Sequence, residues 1–430
     1  MSRLLVLGSG VSGMAAARLG RRLAMQVTIY AETADHNVIE EGFASAFGEW
    51  DSGLLRGVDL VVASPGFSER SLPIVEALES GLPIWSEIEF AASHIEAPLV
   101  AVTGTNGKTS VTEATAAMLD ASGLHAPATG NIGAPLSDFT DAHYDALIVE
   151  VSSFQLRFTE SFHPVAACIT NIAADHLDWH GSAQAYTDAK RRIYMNQTEN
   201  DLLVYDADDQ GAASLSTGAP SKLYPVSGTR MPEGGGGVEY GLLTVENMTV
   251  EVSDLTSSDA THLVNLASAA ALSMRIGASA RGVESAARSF HPGAHRRELV
   301  ADVDGVRWID DSKATNPHAA VASIRALDSV ILIAGGLSKG LDISQLAAEP
   351  NVSLLLGIGD AGPGLVDQAG ERGRLAGTLD LAVEMAAQAA QTGDTVLLAP
   401  GCASFDQFDS YGARGDRFEE LVLERLGGRS

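Results

Sequence analysis

The residues best suited to chemistry form a short glycine-containing segment, Gly104-Thr105-Asn106-Gly107-Lys108-Thr109-Ser110. An apolar, β-rich run at 99–102 precedes it, and a helical pattern follows from Val111 to Leu119. A glycine turn between strand and helix presents backbone N–H groups and a positive helix end to a polyphosphate. Lys108 would neutralise the β- and γ-phosphates, and the Thr109 hydroxyl would bind Mg²⁺. The segment therefore predicts ATP binding rather than an ordinary turn, in a shorter form of the phosphate loop.

A glutamate and a histidine further along the chain could complete a nucleotide site. Glu150 ends an apolar strand at 147–150, where a Mg²⁺ ligand is needed. His176 lies in an Asp-His-Leu-Asp segment after the next buried strand; this pattern suggests metal or phosphate chemistry, with a structural histidine as the alternative. Together with the phosphate loop, Glu150 and His176 predict ATP with one or two Mg²⁺ ions. Lys190 lies on a helical pattern and by itself is typical of a solvated helix face.

Polar loops also follow the predicted strands in the last third of the chain. These loops are Asp311 to Asn316, Gly335 to Lys339 and Cys402 to Phe408. Because open α/β sheets bind ligands at the carboxyl ends of their strands, we expect a second substrate there. Closure over the nucleotide would exclude water and protect a reactive phosphorylated intermediate. The pattern favours ATP-dependent transfer or ligation, with Cys402 as a small buried residue rather than a nucleophile.

Alternating strand and helix patterns predict an α/β fold in three domains, at 1–92, 93–292 and 293–430. The first is expected to be Rossmann-like, the central one a phosphate-loop ATPase-like domain with a mostly parallel sheet, and the last Rossmann-like again. In the first, Gly8 to Gly13 fits the GxGxxG pattern of dinucleotide sites, with Glu32 near the expected acid. NAD is therefore one candidate ligand, and a tight turn that only permits helix–strand packing is the other possibility.

Composition excludes several classes of partner. The chain has 28 basic and 55 acidic residues and a net charge of −27, which argues against nucleic acid and anionic membranes. Two cysteines give no disulfide framework and fit a reducing cytosol. The N-terminal apolar run is too short for a signal-peptide core, and no run of about twenty apolar residues predicts a membrane span. We therefore expect a cytoplasmic protein.

An ordered set of motifs resembles the Mur ligases of peptidoglycan synthesis. The motifs are GTNGKT at 104–109, GNIG at 130–133, EVSSFQL at 150–156, DHLD at 175–178, His295-Arg296, DSKATN at 311–316 and CASFDQF at 402–408. Within that family, SSFQL, DSKATN and CASFDQF are similar to those of the members that add D-glutamate. The resemblance spans all three predicted domains in order.

The resemblance implies an ATP-dependent amide ligase that adds D-glutamate to UDP-N-acetylmuramoyl-L-alanine. The alanyl carboxylate would attack the γ-phosphate of ATP to give an acyl phosphate and ADP. The D-glutamate amine would then attack, and phosphate would leave. The same resemblance implies a cytoplasmic role in cell-wall biogenesis, and with it in cell shape and division. A monomer without nucleic-acid or membrane partners is expected.

Catalytic and metal-binding roles follow from the same resemblance. The catalytic residues would be Lys108, Glu150, His176 and Lys190. Two Mg²⁺ ions would be held by Thr109, Glu150, His176 and Lys190. A bare ammonium beside Mg²⁺ is repulsive, whereas a carbamate on Lys190 would be an anionic oxygen ligand.

Substrate-binding roles are implied as well. ATP would contact Gly104, Thr105, Asn106, Gly107, Lys108, Thr109, Ser110, Asn265 near adenine, Arg296 near the phosphates and Asp311 at the ribose. The UDP-linked substrate would contact Val11, Ser12, Gly66, Asn131 and His176, so that the GxGxxG segment would receive UDP instead of NAD. D-Glutamate would contact Lys313, Thr315, Lys339, Ser404 and Tyr411. The two lysines supply the cationic groups that a dicarboxylate needs.

Two positions depart from the family pattern. The segment Tyr30-Ala31-Glu32-Thr33 stands where D-glutamate-adding members often carry Asp-x-Arg, so it has no basic residue for the diphosphate. His262 replaces an asparagine that is common before Asn265. The alternatives are another Mur-type or folylpolyglutamate-type ligase for a different amino acid, an NAD-dependent oxidoreductase, and a nucleotide-gated binding protein without catalysis.

Overall fold

The computed structural model describes residues 2–291 and 293–427, which pack as two units. The first unit contains the chain up to Ala173 together with Trp179–His291. The second contains Ala174–Asp178 together with the chain beyond residue 292. The segment with His176 therefore packs with the second unit, although its neighbours in sequence belong to the first.

A parallel sheet forms the N-terminal part of the first unit. Its strands are β1 (Arg3–Leu7), β2 (Gln26–Ala31), β3 (Ala44–Phe47), β4 (Leu60–Ala63) and β5 (Ile84–Ser86), in the order β3-β2-β1-β4-β5. Its helices are α1 (Val11–Arg22), α2 (His36–Glu40), α3 (Leu72–Glu79) and α4 (Glu87–Ala92). Because β2 and β4 lie on opposite sides of β1, the carboxyl ends of β1 and β4 form the switch point where such sheets bind ligands.

A second parallel sheet in the first unit carries the phosphate loop. Its strands are β6 (Leu99–Thr103), β7 (Ala128–Gly130), β8 (Leu147–Glu150), β9 (Ala166–Ile169), β10 (Leu202–Asp206) and β11 (Lys222–Val226), in the order β11-β10-β9-β6-β8-β7. An antiparallel meander follows, with β12 (Gly237–Glu239), β13 (Leu242–Val245) and β14 (Met248–Glu251). The helices between residues 93 and 291 are α5 (Lys108–Asp120), α6 (Ser153–Arg157), α7 (Leu177–His180), α8 (Ala183–Arg191), α9 (Gln210–Ser216), α10 (Ala260–Ile276) and α11 (Ala280–Ser289).

The central strand β6 is buried along its whole length, as its sequence Leu-Val-Ala-Val-Thr predicts. Continuous apolar runs are typical of parallel strands that are covered on both faces. Val100 and Val102 pack into a core with α5 and the alanine-rich α10, whereas Leu99 and Ala101 pack into a second core on the opposite face. The end of β6, where the phosphate loop begins, is therefore fixed from both sides.

The second unit is built on a mixed sheet. Its strands are β15 (Glu298–Val303), β16 (Val306–Asp310), β17 (Val330–Gly335), β18 (Val352–Ile358), β19 (Gly373–Gly377) and β20 (Thr395–Leu398), in the order β15-β16-β20-β17-β18-β19. Within the described part of this sheet, only β15 and β16 pair antiparallel. The helices are α12 (Pro317–Arg325), α13 (Ser344–Ala348), α14 (Gly362–Ala369), α15 (Leu379–Ala389) and α16 (Tyr411–Gly427). Short 3-10 helices lie at Ser52–Leu55, Leu136–Phe139, Arg192–Tyr194, Val252–Asp254 and Gly370–Arg372.

The expected α/β fold with mostly parallel sheets is confirmed, whereas several helices begin earlier than the periodicity predicts. The apolar periodicity of the sequence predicts helix starts at Met14, Val111 and Asp416, whereas α1 begins at Val11, α5 at Lys108 and α16 at Tyr411. These first turns contain glycine and polar residues, which a search for apolar periodicity passes over. In the part of the chain that is described, no helix combines the length and the apolar character needed to cross a membrane. The division into three domains stays a prediction.

Helix α4 joins the two sheets of the first unit through two buried glutamates. Glu89 Oε1 accepts a hydrogen bond from the Ser161 N–H at 2.7 Å, and its Oε2 accepts one from the Phe162 N–H at 3.0 Å. Glu87 Oε1 accepts one from the Ser137 N–H at 2.6 Å. Burial raises the pKa of Glu87 from 4.5 to about 7. Both acceptors lie on α4, and the donors lie in segments between strands of the second sheet. These hydrogen bonds therefore connect the two sheets.

We predict that Glu87→Gln stabilises the protein at pH 8 and changes little at pH 5. Glu87 binds its proton more tightly in the folded chain, so its ionisation removes stability as the pH rises from about 4.5 to about 7. Above that range the cost is of the order of 3 kcal/mol at most, and glutamine avoids it. Thermal unfolding at both pH values measures the difference. Glu79→Gln on the exposed end of α3 is the control, and an equal effect at pH 5 and pH 8 would contradict the assignment.

Candidate functional site

The phosphate loop needs glycine where it begins. Gly104 has a φ of +150°, and a Cβ at this position would lie 1.8 Å from Thr170 Oγ1. Gly107 has a φ of +81°, in the left-handed region that favours glycine. Helix α5 then starts at Lys108, so Lys108 and Thr109 lie in its first turn. The loop therefore passes close to Thr170, just after the end of β9. It leads directly into α5, so that Lys108 and Thr109 lie at a helix N-terminus.

Asn171, just beyond the end of β9, holds this loop in shape. Its carbonyl oxygen accepts a hydrogen bond from the Thr105 N–H at 2.8 Å. Its side chain pairs with Asn106 twice, accepting from the N–H at 2.8 Å and donating to the carbonyl oxygen at 3.0 Å. Thr170 Oγ1 also donates to the Asn106 carbonyl oxygen at 2.6 Å. Sequence reasoning missed Asn171 as a site residue, although its position after a buried strand was an available signal.

Two lysine side chains converge on one carbonyl oxygen of the loop. Lys108 Nζ donates to Gly104 O at 3.0 Å, and Lys190 Nζ donates to the same oxygen at 2.7 Å. Lys190 is 1% exposed, so it is not the solvated helix-face lysine that the helical pattern suggests by itself. Tyr186, one turn earlier on α8, places its ring 4.7 Å from Lys190 Nζ and its hydroxyl 2.9 Å from Thr105 Oγ1. Helix α8 therefore brings Lys190 directly to the phosphate loop.

Glu150 lies at the end of β8, next to β6, and is 2% exposed. Its Oε1 accepts a hydrogen bond from Asn131 Nδ2 at 2.9 Å. Its Oε2 is buried without a hydrogen-bond partner in the structure. A buried carboxylate oxygen without a donor is costly, and a hard cation such as Mg²⁺ would satisfy it. The residues present here thus fit a metal ion.

Asn265 on α10 lies against the phosphate loop, since its Oδ1 is 3.0 Å from where a Cβ of Gly107 would be. Thr109 is partly exposed and Ser110 is buried, both in the first turn of α5. The first unit therefore brings together Lys108, Thr109, Glu150, Lys190 and Asn265. His176 packs instead with the second unit, has a φ of +51° and donates its N–H to Asp175 Oδ1 at 2.8 Å.

Apart from His176, the residues predicted for the UDP-linked substrate divide between the two sheets of the first unit. Val11 and Ser12 open α1 at the switch point, and Val11 is 73% exposed. Gly66 follows β4 at the same edge, with open space around its Cα. The N-cap residue of α1, Gly10, has no side chain that could bond to the N–H groups of the first turn. Asn131 lies in the other sheet, beside Glu150.

The residues predicted for D-glutamate lie together at the carboxyl ends of β16, β17 and β20. Lys313 Nζ is 3.8 Å from the ring centroid of Tyr411, which begins α16. The loop with Lys339 is paired with the loop of Ser404, because Leu337 and Ala403 exchange backbone hydrogen bonds at 2.9 and 3.0 Å. Thr315 lies two residues after Lys313, and its N–H donates to the Lys313 carbonyl oxygen at 2.8 Å. The second unit thus groups two lysines, a threonine, a serine and a tyrosine.

The two remaining nucleotide residues also belong to the second unit. Arg296 is partly exposed just before β15. Asp311 is buried, and its carboxylate accepts a hydrogen bond from the Ser323 hydroxyl on α12. Burial raises the pKa of Asp311 to about 6. Its carboxylate therefore takes part in a hydrogen bond inside the fold, and the ribose contact that the resemblance implies stays a prediction.

We predict that Asn171→Ala weakens MgATP binding at least about tenfold, because two hydrogen bonds that shape the loop are lost. Isothermal titration calorimetry with MgATP measures the dissociation constant. Asn200→Ala, at an exposed position, is the control and leaves the dissociation constant unchanged. Equal affinity in Asn171→Ala and the wild type would show that the loop keeps its shape without this side chain.

Two family models match parts of this chain. A model of the Mur ligase middle domain matches residues 102–229, which include the phosphate loop, Glu150 and Lys190. A model described as Mur ligase, glutamate ligase domain, matches residues 295–402, which include Lys313 and Lys339. The matched ranges fall on the two sheets that carry the predicted ATP and amino-acid residues.

Individual relatives extend the similarity to nearly the whole chain. The UDP-N-acetylmuramoylalanine–D-glutamate ligase of Frankia casuarinae is 40% identical, covering 99% of this chain and 94% of the relative. The protein of the same name from Acidobacterium capsulatum is 38% identical, covering 99% and 97%. The MurF ligase of Thermotoga maritima, solved with ADP, shares the fold with a TM-score of 0.63 at 18% identity, over 94% of this chain and 96% of that one. The chain belongs to the Mur ligase family.

Proposed function

We propose that this protein is an ATP-dependent ligase that joins D-glutamate to UDP-N-acetylmuramoyl-L-alanine and releases ADP and phosphate. The observation that carries the proposal is the convergence of Lys108 and Lys190 on the phosphate loop, with the buried, half-satisfied Glu150 at the end of the strand beside β6. The names of the relatives at 38–40% identity support the choice of both substrates. We further propose a cytoplasmic monomer of three domains, at 1–92, 93–292 and 293–430.

The proposed chemistry begins with attack of the alanyl carboxylate on the γ-phosphate of ATP. A P–O bond forms to the carboxylate while the bond to ADP breaks, which gives an acyl phosphate. The amine of D-glutamate then attacks the acyl carbon, loses a proton, and displaces phosphate through a tetrahedral intermediate. The N–H groups of the loop and the Lys108 ammonium hold the phosphates and balance the charge that develops in the first step.

Metal ligands are proposed from the donor set around the loop. Thr109 and Glu150 would hold a first Mg²⁺ ion, and His176 with Lys190 a second. When bound, Mg²⁺ supplies positive charge that polarises the phosphoryl oxygens. The buried Oε2 of Glu150, which has no hydrogen-bond partner, supports the first of these assignments. Asn131 orients Glu150 through the hydrogen bond to its other oxygen.

A carbamate on Lys190 is proposed because of the two lysines at Gly104. Two ammonium groups that share one neutral acceptor repel each other, and burial increases this cost. Reaction of the Lys190 amine with CO₂ would form a C–N bond, release a proton and leave an anionic carbamate. That group would replace the like-charged pair with an attractive one and would provide oxygen ligands for Mg²⁺.

The substrates are assigned to the remaining groups of residues. D-Glutamate would bind Lys313, Thr315, Lys339, Ser404 and Tyr411, where two ammonium groups match two carboxylates. The UDP part would lie at Val11, Ser12 and Gly66, held by the N-terminus of α1 in the absence of an Asp-x-Arg pattern after β2. ATP would also contact Asn265, Arg296 and Asp311, and Asn131 and His176 would face the alanyl or muramoyl end.

We predict that D-glutamate alone among a panel of amino acids stimulates phosphate release in the presence of MgATP and UDP-N-acetylmuramoyl-L-alanine. The panel contains L-alanine, L-glutamate, L-lysine and meso-diaminopimelate, and phosphate is measured by a coupled assay. Stimulation by another amino acid would replace the proposal with a different Mur-type or folylpolyglutamate-type ligase. A change in NADH fluorescence without any need for ATP would favour the oxidoreductase instead.

We predict that Lys190→Ala loses at least about 10²-fold in kcat and that a short carboxylic acid such as acetate restores part of the activity, because it can replace the carbamate oxygens. Lys222→Ala, an exposed lysine of β11, is the matched control and retains full activity. ¹³C NMR with labelled bicarbonate gives an independent reading of the carbamate. Full activity of Lys190→Ala would remove this lysine from the mechanism.

A further inference from the structure

Arg414 on α16 is the largest fully buried side chain among the described residues, at 1% exposure. Its Nε donates to Ser312 Oγ at 3.0 Å and its Nη2 donates to Ser312 O at 2.9 Å. Its Nη1 donates to Cys402 O at 3.2 Å. Ser312 directly precedes Lys313, and Cys402 lies two residues before Ser404. A single side chain thus ties together two of the loops that carry the predicted amino-acid ligands.

The environment of this arginine is unusual because its acceptors are neutral oxygens. Among residues 2–291 and 293–427, no carboxylate forms an ion pair with its guanidinium. Burial lowers the pKa of Arg414 to about 10. The nearby charges of Asp406 and Asp310 offset part of the cost of burying this cation without pairing with it, and an apolar side chain of similar size would cost less. What the arginine provides is a rigid planar fork of donors, which lysine cannot reproduce.

The same contacts reach the first turn of α16. Ser312 Oγ accepts from Arg414 and donates to the Tyr411 carbonyl oxygen at 2.8 Å. Tyr411 lies one turn before Arg414, and its ring faces Lys313 Nζ at 3.8 Å. Arg414 therefore fixes the residue before Lys313, the residue that packs on Lys313 and the strand end that leads to Ser404.

We propose that Arg414 is a positioning residue that sets the spacing of Lys313, Ser404 and Tyr411 for a single dicarboxylate amino acid. This inference rests on the proposed function, since it concerns the D-glutamate site. Arg414 acts through the two loops and does not itself touch the substrate. Its loss separates the loops without removing any of the groups that bind ATP in the first unit.

The test uses Arg414→Met and Arg414→Lys in the full chain, with phosphate release measured against each substrate in turn. We expect Arg414→Met to raise KM for D-glutamate about tenfold or more, since three hydrogen bonds that order two loops are lost. KM for UDP-N-acetylmuramoyl-L-alanine stays within about twofold of the wild type, and KM for ATP rises less than KM for D-glutamate, because Asp311 is the only proposed ATP contact that directly adjoins Ser312. Arg414→Lys keeps the charge without the fork, and we expect at least about a threefold increase in KM for D-glutamate.

Arg417→Met is the matched control on the same helix, where the arginine is partly exposed and pairs with Asp380 and Glu420. We expect its KM for D-glutamate to remain within about twofold of the wild type. If Arg414→Met does not fold, Arg414→Lys alone tests the inference, and a rise of less than about threefold in its KM for D-glutamate counts against it. An unchanged KM for D-glutamate, or an equal rise of KM for all three substrates, overturns the inference. Failure of the wild type to respond to D-glutamate would instead refute the proposed function before any variant is compared.

Discussion

The close approach of two strand ends in the first unit governs the geometry of the phosphate loop. Thr170 and Asn171, which follow β9, lie so near the end of β6 that only glycine fits at position 104. The Asn171 side chain forms hydrogen bonds with both the backbone N–H and the carbonyl oxygen of Asn106, as the backbone of a neighbouring strand would. These bonds keep the backbone of the loop in a fixed orientation. A loop shaped in advance loses little entropy when it binds a polyphosphate. The loop is shorter than the common phosphate loop, and its hydrogen bonds to Thr170 and Asn171 help to hold it in one conformation.

Buried charge is concentrated where the chain is expected to act. Glu150, Lys190 and Arg414 are almost completely buried, and each is held by hydrogen bonds to neutral groups in the structure. A buried charge costs stability unless neighbouring groups offset that cost. For Glu150, whose Oε2 has no hydrogen-bond partner among the described residues, the metal ion of the proposed function would do so. Arg414 differs, since its bonds are internal and organise loops.

Sequence reasoning predicted the fold well because its strongest signals are local and periodic. The buried run of β6, the loop after it and the carboxylate at the end of β8 all follow from residue order alone. It could not find Asn171 or Arg414, whose roles depend on which strands become neighbours and on contacts across about 65 to 102 residues of chain. It also could not show that Asp311 is buried, because the hydrogen bond of this carboxylate with Ser323 depends on the packing of α12. The grouping of His176 with the second unit has the same origin, since packing rather than proximity in sequence decides it.

Helix α4 limits the length of a substrate that could reach from the switch point of the N-terminal sheet to the phosphate loop. Its glutamates bind backbone N–H groups across the junction, so the switch point of the N-terminal sheet and the phosphate loop keep a constant separation. A substrate anchored at the first position and activated at the second must span that separation. With the proposed substrate, this fixed separation would favour a linear molecule whose diphosphate and terminal carboxylate lie the same distance apart.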